Sequence, residues 1–201
     1  MQQEVQVSFA PDAQATSHAV TRGLGYRYQS SDDKWVVQFR LDGMTVSRLA
    51  PYTTWEELFA EAQRMWGVYS HVALPEGVSR VATRFINNLR LPMRDGDPFE
   101  AFLTAAPQVP SGLPQSLMAF LQRVVVYSAD LEASAIITQY WQPGADTASE
   151  RVPVILDIDA YREASFPSDG SEIWDYLTRL RTFKNQVFFE SLTDKAVALY
   201  E

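Results

Sequence analysis

The chain has 201 residues, 46% of them hydrophobic and 21% charged, which is enough apolar material to bury a core and excludes a disordered or fibrous protein. It has no cysteine and only two histidines, His18 and His71, so disulfides, thiolate nucleophiles and multi-histidine metal centres are excluded. Lys and Arg number 17 against 25 Asp and Glu, and the net charge of −8 argues against unspecific binding to the phosphate backbone of nucleic acid except at a local basic patch.

No apolar run is long enough to span a bilayer, and Met1-Gln2-Gln3-Glu4 lacks the basic start and apolar stretch of a signal peptide, so a cytoplasmic protein without membrane contact is expected. Tyr26 to Gln29 reads as a strand leading through Ser30-Ser31-Asp32-Asp33 into a second, Lys34 to Leu41. There Trp35, Val37, Phe39 and Leu41 alternate with Lys34, Gln38 and Arg40. Asp42-Gly43 marks a tight turn into Met44 to Leu49, completing a hairpin. Thr53 followed by Glu56 fits a capping box, and Trp55, Leu58, Phe59, Ala62, Met65, Trp66 and Tyr69 then form one helical stripe.

Ser79 to Leu91 is again strand-like, with Val81, Phe85 and Leu89 opposed to Arg84, Ile86, Asn88 and Arg90. Pro92 and Asp95-Gly96-Asp97-Pro98 end it, Phe99 to Thr104 suits a short helix, and Pro107 to Pro114 looks like a connector. Strands follow at Met118 to Tyr127, Leu131 to Trp141 and Val152 to Ala160, with a loop opening at Gln142-Pro143-Gly144; a meander is the economical arrangement. Ile173, Trp174, Leu177, Leu180, Lys184, Val187, Phe188 and Ser191 have helical spacing, with Asp169 and Glu172 suited to cap it. A last helical segment, Thr193 to Tyr200, is capped by Thr193, with Ser191 as a competing cap.

The expected fold is α+β: one domain over 1–201, with an antiparallel sheet of about six to eight strands and two principal helices on one face. Trp55-Glu56-Glu57-Leu58 and Trp174-Asp175-Tyr176-Leu177 open the two helices alike, which raises a duplicated β-meander-plus-helix unit with halves 1–106 and 115–201 as an alternative to chance similarity.

Arg84-Phe85-Ile86-Asn87-Asn88-Leu89 resembles the Arg-aromatic-Ile-Asn strand of a sporadically distributed prokaryotic protein family. The run from Leu177 through Lys184-Asn185, Phe188 and Thr193 resembles that family's final helix. Lys34-Trp35, Tyr52 to Glu56 and Leu156-Asp157-Ile158-Asp159 match the same pattern, so the resemblance spans most of the chain. The Pro-rich lead that usually precedes a strand like Glu4-Val5-Gln6-Val7-Ser8-Phe9 is missing. The resemblance implies an accessory protein, antitoxin-like partner or sensor of mobile or defence-associated gene sets, and it supplies no catalytic residue.

Several side chains are candidates for a site. Asp157 and Asp159 project from one face of their strand and suit either Mg²⁺ binding and acid–base chemistry or pairing with cations from neighbouring strands. Arg84, Asn88 and Arg90 share one side of theirs, where the arginines suit such pairing or a carboxylate or phosphate ligand. Lys184 falls near the apolar stripe of the last long helix, placed to reach toward the two aspartates or to snorkel into solvent. Trp141, beside Tyr140 at a strand end, is an aromatic contact candidate. Neither histidine fits a triad, and no nucleophile elbow, P-loop or dinucleotide fingerprint is present, so no cofactor is expected.

These features favour a non-enzymatic interaction or ligand-binding protein acting with a protein partner or as a homo-oligomer. Its contact surface would be an uncovered sheet face on which apolar positions such as Val36 and Ile155 interrupt the polar lining. The alternatives are a metal-assisted hydrolase or transferase using Asp157 and Asp159, with Lys184 or Arg84 stabilising an anion, and a small-molecule pocket between sheet and helices.

Overall fold

The computed structural model describes residues 2–6, 20–93, 97–141 and 151–200. His18, the strand residues Val7-Ser8-Phe9, the Asp95-Gly96 turn and the Gln142-Pro143-Gly144 loop lie outside the described residues. The chain forms two compact units, Met1–Glu76 and Gly77–Glu201, each built from an antiparallel four-stranded sheet and a long helix. The class is α+β, as the mixture of strand-period and helix-period segments requires.

In the first unit β1 (Gln2–Gln6), β2 (Val20–Gln29), β3 (Trp35–Arg40) and β4 (Gly43–Arg48) pair in chain order as a meander. The Asp32 carboxylate shapes the β2–β3 turn by accepting from the Ser30 hydroxyl at 2.5 Å and the Lys34 amide at 3.2 Å, and the Ser30 bond lowers its pKa most. The β3–β4 loop is Leu41-Asp42, one residue earlier than the sequence suggests, and Gly43 opens β4 opposite Arg40. Gly25 has φ +147°, and a Cβ there would lie 2.0 Å from the Phe39 carbonyl oxygen, so this approach of β2 to β3 admits only glycine.

Helix α1 (Trp55–Ala73) is capped by Thr54, whose hydroxyl accepts from the Glu57 amide at 3.3 Å. The box therefore sits one residue later than the expected Thr53 and Glu56, while the Thr53 hydroxyl donates to the Glu57 carboxylate. Trp55, Met65 and Tyr69 are the buried residues of α1, which packs along β4, and the Tyr69 hydroxyl donates to the Arg40 carbonyl at 3.1 Å. Val36 is buried, contrary to its expected exposure. It alternates with Val37, which is also buried, so β3 projects a buried side chain from each face rather than from one.

The second unit contains β5 (Val78–Leu91), β6 (Phe120–Ser128), β7 (Ala133–Trp141) and β8 (Val152–Phe166), in the order β5-β8-β7-β6. The expected meander is β6-β7-β8. Strand β5 joins its free side, running from Val78 opposite Phe166 to Leu91 opposite Val152. The sequence reading placed β5 in a first half, 1–106, but it pairs within the second unit. The first sheet is a meander in chain order and the second is not, so the two units do not repeat strand for strand.

Helix α2 (Ser171–Glu190) lies across β8, β5 and β7. It meets Val154, Leu156, Ile158 and Ala160, the alternate residues of β8, all of them fully buried, with Leu180 as its own fully buried contribution. Each large aliphatic side chain removed from water this way contributes on the order of 2 kcal/mol. The N-cap of α2 is Gly170, in a left-handed conformation and without a side-chain cap, so Asp169 and Glu172 do not form the expected box. Arg162 anchors the start of the helix instead. It donates to the Tyr176 hydroxyl and to Glu132, each at 2.6 Å, with its guanidinium over the Tyr176 ring.

The segment read as a short helix is a single 3-10 turn, Phe99–Ala101, followed by Phe102 and Leu103, both buried. It is stitched to the end of α2: Thr104 N–H donates to the Ser191 carbonyl, Thr193 N–H to the Phe102 carbonyl, and Leu103 bridges to Leu192. Thr193 caps α3 (Asp194–Val197), its hydroxyl accepting from the Ala196 amide at 3.3 Å.

Candidate functional site

The register of the second sheet sorts the candidate residues onto its two faces. Arg84 opposes Asp159, which in turn opposes Ile136; Ile86 opposes Asp157, which opposes Thr138; Asn88 opposes Ile155, which opposes Tyr140. Leu121, Arg123, Val125 and Tyr127 of β6 complete this outer face, since they pair with Tyr140, Thr138, Ile136 and Ser134. The intervening residues, Phe85, Asn87 and Leu89 of β5 and the buried alternation of β8, form the inner face under α2.

On the outer face each aspartate meets an arginine. Arg84 forks onto Asp157, Nε to Oδ1 at 2.8 Å and Nη2 to Oδ2 at 2.5 Å, and this hydrogen bonding raises the guanidinium pKa further above its usual value. Arg80 donates to Asp159 Oδ2 at 2.9 Å and lies over the Tyr161 ring, while Asp159 Oδ1 is buried without a hydrogen-bond partner. Arg80 is a residue of this face that the sequence reading does not single out. Its outer-face parity with Arg84 was the available signal. Asn88 and Arg90 are exposed, and Arg90 enters the local bonding through its backbone, donating to the Tyr200 hydroxyl and accepting from Arg151.

Lys184 lies on the other face. Its ammonium sits 3.8 Å from the Phe85 ring centroid, the residue is 9% exposed, and no carboxylate among the described residues lies within ion-pair reach. It neither faces Asp157 and Asp159 nor snorkels, because the sheet itself separates it from the aspartates. Burial, reinforced by the neighbouring Arg181 charge, pushes its pKa down to about 8. The Trp141 ring packs 5.5 Å from Phe99, so the exposed ring of the pair is Tyr140. Ile155 is half-buried.

Sequence reasoning places Ile86 on this side of β5 but misses the β6 part of its apolar flank, Leu121, Val125 and Tyr127. Leu121 is 74%, Tyr127 67% and Ile86 63% exposed, with Val125 and Tyr140 also open. The continuous run Val124-Val125-Val126, which lacks the alternation of a half-buried strand, was the available signal. Within the first unit an open cleft of about 950 Å³ runs between α1 and the β2–β3 side of the sheet. Tyr28, Trp35 and Phe39 form one wall and Met65 and Val68 the other, with the Glu61–Arg64 ion pair at its lip.

Among the described residues no group of three or more His, Asp or Glu is placed to hold a metal ion, and no helix is long and apolar enough to cross a membrane. No family model matches the chain, and comparison with curated proteins and with solved structures finds no match. The family resemblance rests on the quoted residues alone.

Proposed function

We propose that the protein is a non-enzymatic, cytoplasmic interaction protein whose contact surface is the outer face of the second sheet. One observation carries this reading: Ile86, Leu121 and Tyr127 stand exposed around carboxylates already neutralised by Arg80 and Arg84. A partner docking there buries apolar surface around Asp157 and Asp159, whose charges are already paired, which lowers the desolvation cost of covering them. The resemblance of Arg84–Leu89 and the last long helix to the sporadic prokaryotic family favours an accessory or antitoxin-like role.

Native mass spectrometry of the gently purified protein tests this reading. A protein partner in fixed stoichiometry that is retained by wild type and lost from Ile86→Asp supports it. A partner indifferent to Ile86→Asp and Tyr140→Asp defeats it.

A second reading has its own observation. The aromatic-walled cleft of the first unit lies within the size range of small-molecule sites, about 300 to 1,000 Å³, and suits an apolar, flat ligand. A bound molecule released on denaturation of wild type and absent from Trp35→Ala supports it. The metal-assisted hydrolase or transferase has less support, because Asp157 is held at both oxygens by Arg84 and Lys184 lies on the opposite face.

A further inference from the structure

The two edges of the second sheet are finished differently. The β5 edge carries Arg80, Arg84 and Arg90 on its outer side, the charged dressing that keeps an edge from pairing with another chain. The β6 edge, Phe120–Ser128, is nine residues paired to β7 without a bulge and free of proline, with Arg123 as its single charge. At roughly 3.4 Å per residue it presents about 30 Å of unpaired backbone donors and acceptors. No backbone hydrogen bond among the described residues reaches its open side. Its side chains are exposed toward both faces, Leu121, Val125 and Tyr127 on the outer and Val124 on the inner.

We propose that β6 is the dimerisation edge, pairing antiparallel about a two-fold axis with β6 of a second copy of this chain to make one eight-stranded sheet. The proposal rests on reading the second sheet as an interaction surface and names its partner as the same chain. Self-pairing suits this strand because its one charge can be kept from its own image. An axis through Arg123 sets the two guanidinium groups opposite one another, which is destabilising. An axis through Val124 sets Leu121 against Tyr127 and Arg123 against Val125 of the partner, joining the apolar patches of the two outer faces. A different protein adding a strand would need its own exposed edge, whereas a second copy supplies one of matching length and pattern.

Sedimentation of the full chain over a concentration series is expected to show a monomer–dimer equilibrium, with Val124→Lys shifting it to monomer at unchanged circular dichroism. The absence of native cysteine allows a second test that needs no disruptive variant. Val124→Cys should give a disulfide-linked dimer on mild oxidation, and Leu121→Cys or Tyr127→Cys should not. A chain that stays monomeric at every concentration overturns the proposal, as does a dimer that survives Val124→Lys and is not captured by Val124→Cys. Either result leaves the Ile86→Asp partner test standing, since Ile86 lies on the far edge strand. Conversely, a β6 dimer with no partner sensitive to Ile86→Asp removes the broader reading and keeps this one.

Discussion

Arg84, on the outer face of the second sheet, and Lys184, over the Phe85 ring on its inner face, are cations separated by one strand. The first is solvated on one side and forked onto Asp157 on the other, so its charge is satisfied twice. The second is buried against an aromatic ring with no carboxylate within ion-pair reach among the described residues, and its pKa falls to about 8. A charged group opposite an acid on an open face costs little and stabilises little, whereas one under a helix carries a desolvation penalty that a ring only partly offsets. Substitutions on the outer face should therefore cost less stability than substitutions on the inner face.

The largest effect expected from that contrast is at the inner face. Leu156→Ala, at a fully buried position under α2, should lose about 3 kcal/mol or more in urea denaturation. A loss below about 1 kcal/mol would mean that α2 is not seated there.

Next comes Lys184. Its folded pKa of about 8 lies below the ordinary 10.5, so between those values the unfolded chain holds the extra proton and stability should climb as pH rises; below about pH 8 the penalty is fully present. Lys184→Met should remove that climb and raise stability at pH 7 by roughly 1 to 3 kcal/mol, the burial penalty less the lost ring contact. Thermal melts of both proteins at pH 7 and pH 10 check it, and a destabilised Lys184→Met at pH 7 would show that the ammonium is needed.

Asp157→Asn should cost about 1 kcal/mol in the same measurement, with the secondary structure unchanged, because Arg84 can turn to solvent. The smallest change is expected for Ile86→Ala on the outer face, within about 0.5 kcal/mol, since that side chain is already in water. A loss as large as that of Leu156→Ala would mean that the outer face is covered.

Local order was legible in the sequence wherever one period dominated. The alternation of Trp35, Val37 and Phe39, the opposed faces of β5 and β8, and the stripes of both long helices all map onto elements with ends within a few residues of expectation, β8 and β2 excepted. The paired aspartates were readable because alternation alone places Asp157 and Asp159 on one face. What decides their chemistry was not. It takes the non-local pairing of β5 with β8 to bring Arg84 to Asp157, and the side on which α2 packs to put Lys184 behind the sheet. Phe102 and Leu103 were passed over because a single turn beside a Pro-rich stretch has no period to detect, although tertiary hydrogen bonds hold it in the core.

The pairing of Leu91 with Val152 has a kinetic side. Strand β5 leaves the ribosome first of its sheet, and its partner β8 follows only after β6 and β7. Until then the nascent β5 has no ladder to join, and its arginines and Asn88 serve as a guard on a waiting strand. Closing so long a segment before any reward arrives raises the contact order, so the β6-β7-β8 meander should assemble first and β5 last.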